Sequence, residues 1–203
     1  MQRAASIEPR ITVELQQIAE RTDARLIGTH VDQAGVRLSG LEYRLKTTES
    51  LYRKIATELG EIGDPRSVAT VDAKLNVTGD AVRYTYVIPD EAFGAGVNSI
   101  LEQLGEAGIR WTGQGQWKLT FGKPDVYQGI NSQWHSPDGQ RFEIQFHTES
   151  SLHAKEMTHP WYEEARLPET SEARRRELNE AQAGAFNAVP LPKGIEIILP
   201  PRQ

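Results

Sequence analysis

The chain contains no cysteine. Disulfide staples, thiolate metal sites and a cysteine nucleophile are excluded with it. No stretch approaches the roughly 20 consecutive apolar residues that a membrane-crossing helix needs, so no membrane partner is expected. The opening Met1-Gln2-Arg3-Ala4-Ala5-Ser6 has no apolar run of a signal peptide, which leaves the compartment open. Repeats and low-complexity tracts are lacking too. An excess of positive charge is also missing: the formal net charge is −5. Domains that bind DNA or RNA are usually basic, so neither is expected as a partner.

What is present is enough for one domain with a real core. The 203 residues are 38% hydrophobic and 25% charged, the balance of a globular chain. The basic residues cluster. Arg44, Lys46, Arg53 and Lys54 sit close together, as do Lys118 and Lys123. A local cationic cluster on an acidic protein suits a small phosphorylated ligand. An ordinary solvated surface would have the same composition.

The pattern predicts a helix from Pro9 to about Arg21, with Ile11, Leu15 and Ile18 on one face. Short strands are expected at 25–31 and 41–46, then helices from Thr47 or Thr48 to near Gly60 and from Asp64-Pro65 to about Leu75. Residues 81–88 read as a strand stopped by Pro89, and 91–107 as a helix. Residues 109–121 read as strand broken by Gly113-Gln114-Gly115. Alternation over 126–135 and 140–147, around Pro137-Asp138-Gly139, predicts a hairpin. Helices follow at 149–166 and 170–186, the first broken at Pro160. Helices alternating with strands, then consecutive strands, imply an α/β (α+β) fold with one mixed sheet of about five strands flanked by helices. The terminal helices read as extensions of the same domain.

Three segments carry chemistry. In Tyr43–Lys54, Arg44 and Lys46 are two apart on the expected strand and share a face. Ser50 and Lys54 share a face of the following helix, whose N-terminus offers free N–H groups. A triphosphate would need such a set; a charged edge strand leading into a solvated helix would look alike. Asp80 stands at the mouth of the 81–88 strand, with Arg83 as a candidate ion-pair partner. In the hairpin, Glu143, Gln145 and His147 lie on one strand face and Phe142, Ile144 and Phe146 on the other. The apolar face must be core, so the polar face lines solvent or a site.

Four ordered segments resemble the RelA/SpoT-type synthetase domain over about 41–148. Its R-x-K-x-x-x-S-[IL]-x-x-K segment is matched by Arg44, Lys46, Ser50, Leu51 and Lys54. Its aspartate before a strand is resembled by Asp80. Its G-Y-x-[SG]-I-[HN] segment is matched by Tyr127, Gly129, Ile130 and Asn131. Its E-I-Q-[IL]-[RH]-T segment is matched by Glu143-Ile144-Gln145-Phe146-His147-Thr148. Any one of these is weak; together they are specific.

The resemblance implies a nucleotidyltransferase-like synthetase fold and an ATP-dependent nucleotide 3′-pyrophosphokinase. The 3′-oxygen of a purine nucleotide would attack the β-phosphorus of ATP, with AMP leaving. Arg44, Lys46, Ser50, Lys54, Arg53 and Arg83 would bind ATP. Asp80 and Glu143 would be the catalytic acids and hold Mg²⁺. Glu143 could also take the proton of the attacking hydroxyl. Tyr127 would stack on the acceptor base, with Lys118, Lys123, Asn131, Gln145 and His147 around the acceptor. Three departures stand out. The usual Asn-Gly before the tyrosine is Asp125-Val126. The usual histidine is Asn131. An arginine often placed five residues after the aspartate is Thr85, with Arg83 nearer. The acceptor could therefore be a guanine or an adenine nucleotide.

The closest kinship in pattern is with stand-alone or secreted members, so export is favoured over the cytoplasm. Housekeeping members carry a hydrolase domain with a His-Asp motif. No His-Asp dipeptide occurs here, and neither a hydrolase nor a regulatory domain is expected. Two other readings stay open: a nucleotidyltransferase using the same carboxylates, and a nucleotide-binding module with a decayed site. His153, Glu156 and His159 match helical metal-ligand spacing poorly. Trp111, Trp117, Trp134 and Trp161 read as core or rim, and Arg174-Arg175-Arg176 as a solvated helix face.

Overall fold

The computed structural model describes residues 2–26, 35–45, 81–113 and 116–201. Helix α1 spans Gln2–Arg25 and sets Ile11, Leu15, Ile18 and Ala19 on its buried face. It starts before Pro9 rather than at it. Pro9 is exposed, so water can reach the carbonyl that its missing N–H leaves unpaired. Helix α2 spans Phe93–Glu106, α3 Glu149–Ala165 and α4 Glu172–Asn187.

The strands are β1 (Arg37–Ser39), β2 (Arg83–Val87), β3 (Arg110–Trp111), β4 (Trp117–Leu119), β5 (Ile130–His135) and β6 (Arg141–His147). They form one six-stranded mixed sheet in the order β1-β2-β6-β5-β3, with β4 also on β5. The β2–β6 pair is parallel and the other pairs are antiparallel. Both β3 and β4 line the same edge of β5. Arg110 and Trp111 pair with its far end, and Trp117 to Leu119 with its near end. Gln114 and Gly115, between these two stretches, lie outside the described residues. The expected hairpin is β5–β6, closed by a turn in which Gly139 has φ 76°. Only a residue without a Cβ adopts that backbone readily.

Side-chain alternation divides the sheet. One face carries Tyr84, Tyr86, Phe142, Ile144, Phe146, Ile130 and Trp134, all buried in one cluster with the apolar sides of α1 and α2. Tyr86 stacks on Phe146 with centroids 5.8 Å apart, and its hydroxyl donates to the Leu15 carbonyl of α1 at 2.9 Å. Each such buried side chain contributes about 1.5–3 kcal/mol. The opposite face carries Arg83, Thr85, Glu143, Gln145, His147, Asn131, Gln133 and Lys118, which the register places side by side.

Helix α3 crosses that polar face. Thr148 caps it in a reciprocal pair with Ser151, which satisfies two backbone donors. It runs through Pro160 without a break, because Pro160 and Glu156 are both exposed and water replaces the missing partner. Helix α4 packs back on α3. Arg174 Nε lies 2.8 Å from Glu164 Oε1, and Arg175 Nε donates to the Ala165 carbonyl at 2.9 Å. Arg174, Arg175 and Arg176 are exposed as expected, and the first two also tie α4 to α3.

One expected strand is corrected, and another, at 25–31, lies mostly outside the described residues. Arg25 ends α1 and Leu26 is a turn; 27–31 lie outside the described residues. Leu41–Tyr43 form a 3₁₀ turn instead of a strand. Gly40, with φ 65°, breaks the extended run there, and among the described residues of that span Leu45 keeps a bridge, to Val82. The helices expected at 47–60 and 64–75 lie outside the described residues.

Candidate active site on the polar sheet face

Glu143 sits near the middle of the polar face. The parallel register sets it opposite Arg83 on β2, and Arg83 Nε lies 3.0 Å from Glu143 Oε1. Along its own strand, Gln145 Nε2 donates to the same oxygen at 2.5 Å. Both partners engage Oε1. The Glu143 side chain is 12% exposed, so the carboxylate is largely desolvated and is held by one ion pair and one amide donor. That combination fixes the carboxylate in place. Arg83, read from sequence as a partner for Asp80 and a contact for ATP, lies beside Glu143; its pairing with Asp80 falls outside the described residues.

Lys155 of α3 completes this set. Its Nζ donates to Gln145 Oε1 at 2.7 Å. Burial, then the charge of Arg83, lowers its pKa to about 8, against an opposing pull from Glu143. On the surface α3 shows, a lysine reads as solvated, and no sequence signal marks Lys155.

Next along β6, His147 is fully buried. Its Nε2 is 2.5 Å from the Tyr127 hydroxyl, and its Nδ1 is 2.8 Å from Ser151 Oγ on α3. The Tyr127 hydroxyl also donates to Asn131 Oδ1 at 3.0 Å. Burial and the nearby Lys155 charge hold the His147 pKa well below the usual histidine value, so the ring is neutral. Burial, then the charge of Glu143, raises the pKa of the Tyr127 phenol, against Arg83. His147 was expected to touch an acceptor. Enclosed as it is, it holds Tyr127 instead. The Tyr127 ring also meets Phe186 of α4 edge to face at 6.1 Å. At Gly129 a Cβ would come within 3.0 Å of both His147 and Tyr127, so a hydrogen at that position lets the two rings close up.

Lys118 pairs across β4–β5 with Asn131 and is exposed at the rim of the same face. Lys123 is exposed in the loop before Tyr127, where its carbonyl accepts from Gln128 Nε2 at 2.8 Å. Gln128 also bonds Gly122 N and the Val126 carbonyl, which shapes that loop.

Arg44 lies on the other side of β2. Its Nε donates to Glu8 Oε1 of α1 and its Nη1 to the Leu41 carbonyl at 2.5 Å. Glu8 is 2% exposed and also accepts from Thr12 and from the Tyr84 hydroxyl at 3.2 Å. Burial raises its pKa, but Arg44, Thr12 and Tyr84 outweigh this and hold it below the ordinary carboxylate value. The Arg44 side chain remains 34% exposed. Glu8 was missed from sequence because its tie to Arg44 spans 36 positions.

Asp80, Lys46, Ser50, Arg53 and Lys54 lie outside the described residues. Among the described residues, no group of three or more His, Asp or Glu side chains is placed to hold a metal ion. The set His153, Glu156 and His159 on α3 forms none. Among them, too, no helix is long and apolar enough to cross a membrane.

No protein-family model matches the chain, and no curated protein does. Solved structures do. Small alarmone synthetase 2 from Bacillus subtilis superimposes with a TM-score of 0.58 at 13% identity, over 90% of this chain and 88% of that one. The protein smu.1046c from Streptococcus mutans UA159 does so with a TM-score of 0.51 at 16% identity, over 86% and 88%. The sheet with its polar face and flanking helices is therefore the small alarmone synthetase fold.

Proposed function

We propose that the chain transfers pyrophosphate from ATP to the 3′-hydroxyl of a purine nucleotide. The observation that carries this reading is the Glu143 carboxylate, fixed between Arg83 and Gln145 on the polar face of a small alarmone synthetase fold. The matching sequence segments support it, since two of them, around Tyr127 and Glu143, meet on this face through Tyr127–His147 and the Asn131–Gln145 register.

In this reaction the acceptor 3′-oxygen forms a bond to the β-phosphorus of ATP. The bond from that phosphorus to the α–β bridging oxygen breaks, and AMP leaves. The 3′-hydroxyl proton passes to Glu143, which lies within a network able to hold the carboxylate still. Charge develops on phosphoryl oxygens, so cations near the path matter more than a covalent nucleophile. Arg83 and Arg44, with Lys46, Ser50, Arg53 and Lys54, are assigned to ATP. Tyr127 is assigned to the acceptor base and Asn131 to holding that ring. Lys118 and Lys123 are assigned to acceptor phosphates, and their exposure leaves them accessible.

Mg²⁺ fits Glu143 as a hard oxygen donor whose structural partners engage one carboxylate oxygen. It takes one or two carboxylates plus substrate phosphates, so a three-residue protein cluster is not required. Asp80 is assigned as the second ligand. Bound there, the ion would offset phosphate charge.

The test is ATP labelled at the β-phosphate, incubated with Mg²⁺ and each purine nucleotide in turn. Label on the acceptor with release of AMP supports the proposal. Label appearing only as free pyrophosphate would indicate nucleotidyl transfer and defeat it. No turnover with any purine nucleotide would leave a binding module.

A further inference from the structure

Helix α3 reads the polar face of β6 with two side chains four residues apart. Ser151 meets His147 and Lys155 meets Gln145. Four helical residues advance about 6 Å and two strand residues about 6.6 Å, so the two spacings match. Gln145 is 4% exposed and its amide has two ends to satisfy. Its oxygen takes the Lys155 ammonium at 2.7 Å, and its nitrogen gives a proton to Glu143 at 2.5 Å. Were the amide turned over, its oxygen would face the carboxylate and its N–H₂ would face an ammonium. Lys155 therefore selects the orientation that supports Glu143.

We propose that Lys155 is a positioning residue for pyrophosphate transfer, acting on Glu143 through the Gln145 amide. The inference rests on the reading of Glu143 above. Lys155 touches neither reacting group in this arrangement. Its ammonium stands one amide away from the carboxylate. The effect of losing it must therefore pass through Gln145. That separates it from a lysine that grips substrate phosphate directly, whose loss would raise the acceptor KM whether or not Gln145 were present.

The experiment compares Lys155→Met, Lys155→Arg, Gln145→Ala and the Lys155→Met/Gln145→Ala double variant. Lys155→Met should lower kcat about 10- to 100-fold. KM for ATP and acceptor should stay within about twofold. Lys155→Arg should recover a substantial part of kcat, and the double variant should turn over no more slowly than Gln145→Ala alone. An unchanged kcat in Lys155→Met, a loss confined to KM, or a further loss in the double variant would overturn the proposal. Side-chain amide spectra judge the same link without turnover. The Gln145 Nε2 proton resonance should shift in Lys155→Met, and no shift would overturn it. A wild-type chain that fails to transfer pyrophosphate would defeat the proposed function, while that spectrum would still decide the role of Lys155.

Discussion

Arg83 and Glu143 face each other across the parallel β2–β6 pair, Nε to Oε1 at 3.0 Å. An ion pair on paired central strands is set by register. Slipping either strand by one residue would turn one partner into the apolar core. The hydrophobic pattern that folds the sheet is thus also what aligns the site. Replacing Glu143 by Gln keeps the shape and removes the charge. Turnover should fall by about 10²–10⁴-fold, with a circular dichroism melt close to that of the wild type. Wild-type kcat in this variant would remove Glu143 from the mechanism.

Tyr127 is bound by its hydroxyl to His147 and Asn131 and by its edge to Phe186. Tyr127→Ala removes the ring assigned to the acceptor base. The acceptor KM should rise about tenfold or more, and the ATP KM should move by less than about threefold. Steady-state kinetics with each substrate varied in turn checks this. Equal losses for both substrates would contradict the assignment.

Glu8 is a buried carboxylate with a depressed pKa. Its folded value lies below the unfolded one, so its stabilising contribution is present above about pH 4.5 and is lost as pH falls through the folded value. Glu8→Gln should cost about 1.5–3 kcal/mol at pH 7. The cost should shrink as the wild type is acidified through the folded value. Because Glu8 pins Arg44, the same variant should raise the ATP KM while leaving the acceptor KM unchanged. Urea unfolding across pH, with steady-state kinetics at neutral pH, measures both.

His147 gives a separate acid limb. Its folded pKa is held well below 6.5, chiefly by burial. Below pH 6.5 the unfolded chain takes up a proton there that the folded chain refuses. Stability therefore falls with pH, by up to about 1.4 kcal/mol per unit. His147→Gln should flatten the urea-unfolding free energy between pH 6.5 and 5. His135, also lowered by burial and by Arg141, should act in the same direction, so His135→Gln is the comparison. A slope unchanged in His147→Gln would contradict the assignment.

Much of this architecture can be read from the chain. Strict alternation over 141–147 names the core face and the site face of β6, and Pro137-Asp138-Gly139 names the turn. What escapes has local physical causes. Strand β1 is three half-buried residues without a pattern long enough to detect. Residues 41–45 alternate like a strand, yet Gly40 turns the backbone and a 3₁₀ turn follows. Two prolines sit inside helices because they face water. Lys155 and Glu8 look like surface charges, and their partners Gln145 and Arg44 lie 10 and 36 positions away. His147 carries the polarity of a ligand contact, but α3 closes over it.

The most direct measurement is ³¹P NMR of the protein with ATP, Mg²⁺ and a purine nucleotide, run beside the matching 3′-deoxynucleotide. The account predicts AMP and a new pyrophosphoryl ester in equal amounts with the natural acceptor, and neither with the 3′-deoxy compound. AMP formed equally well without a 3′-hydroxyl, or an ester formed at full rate by Glu143→Gln, would contradict it.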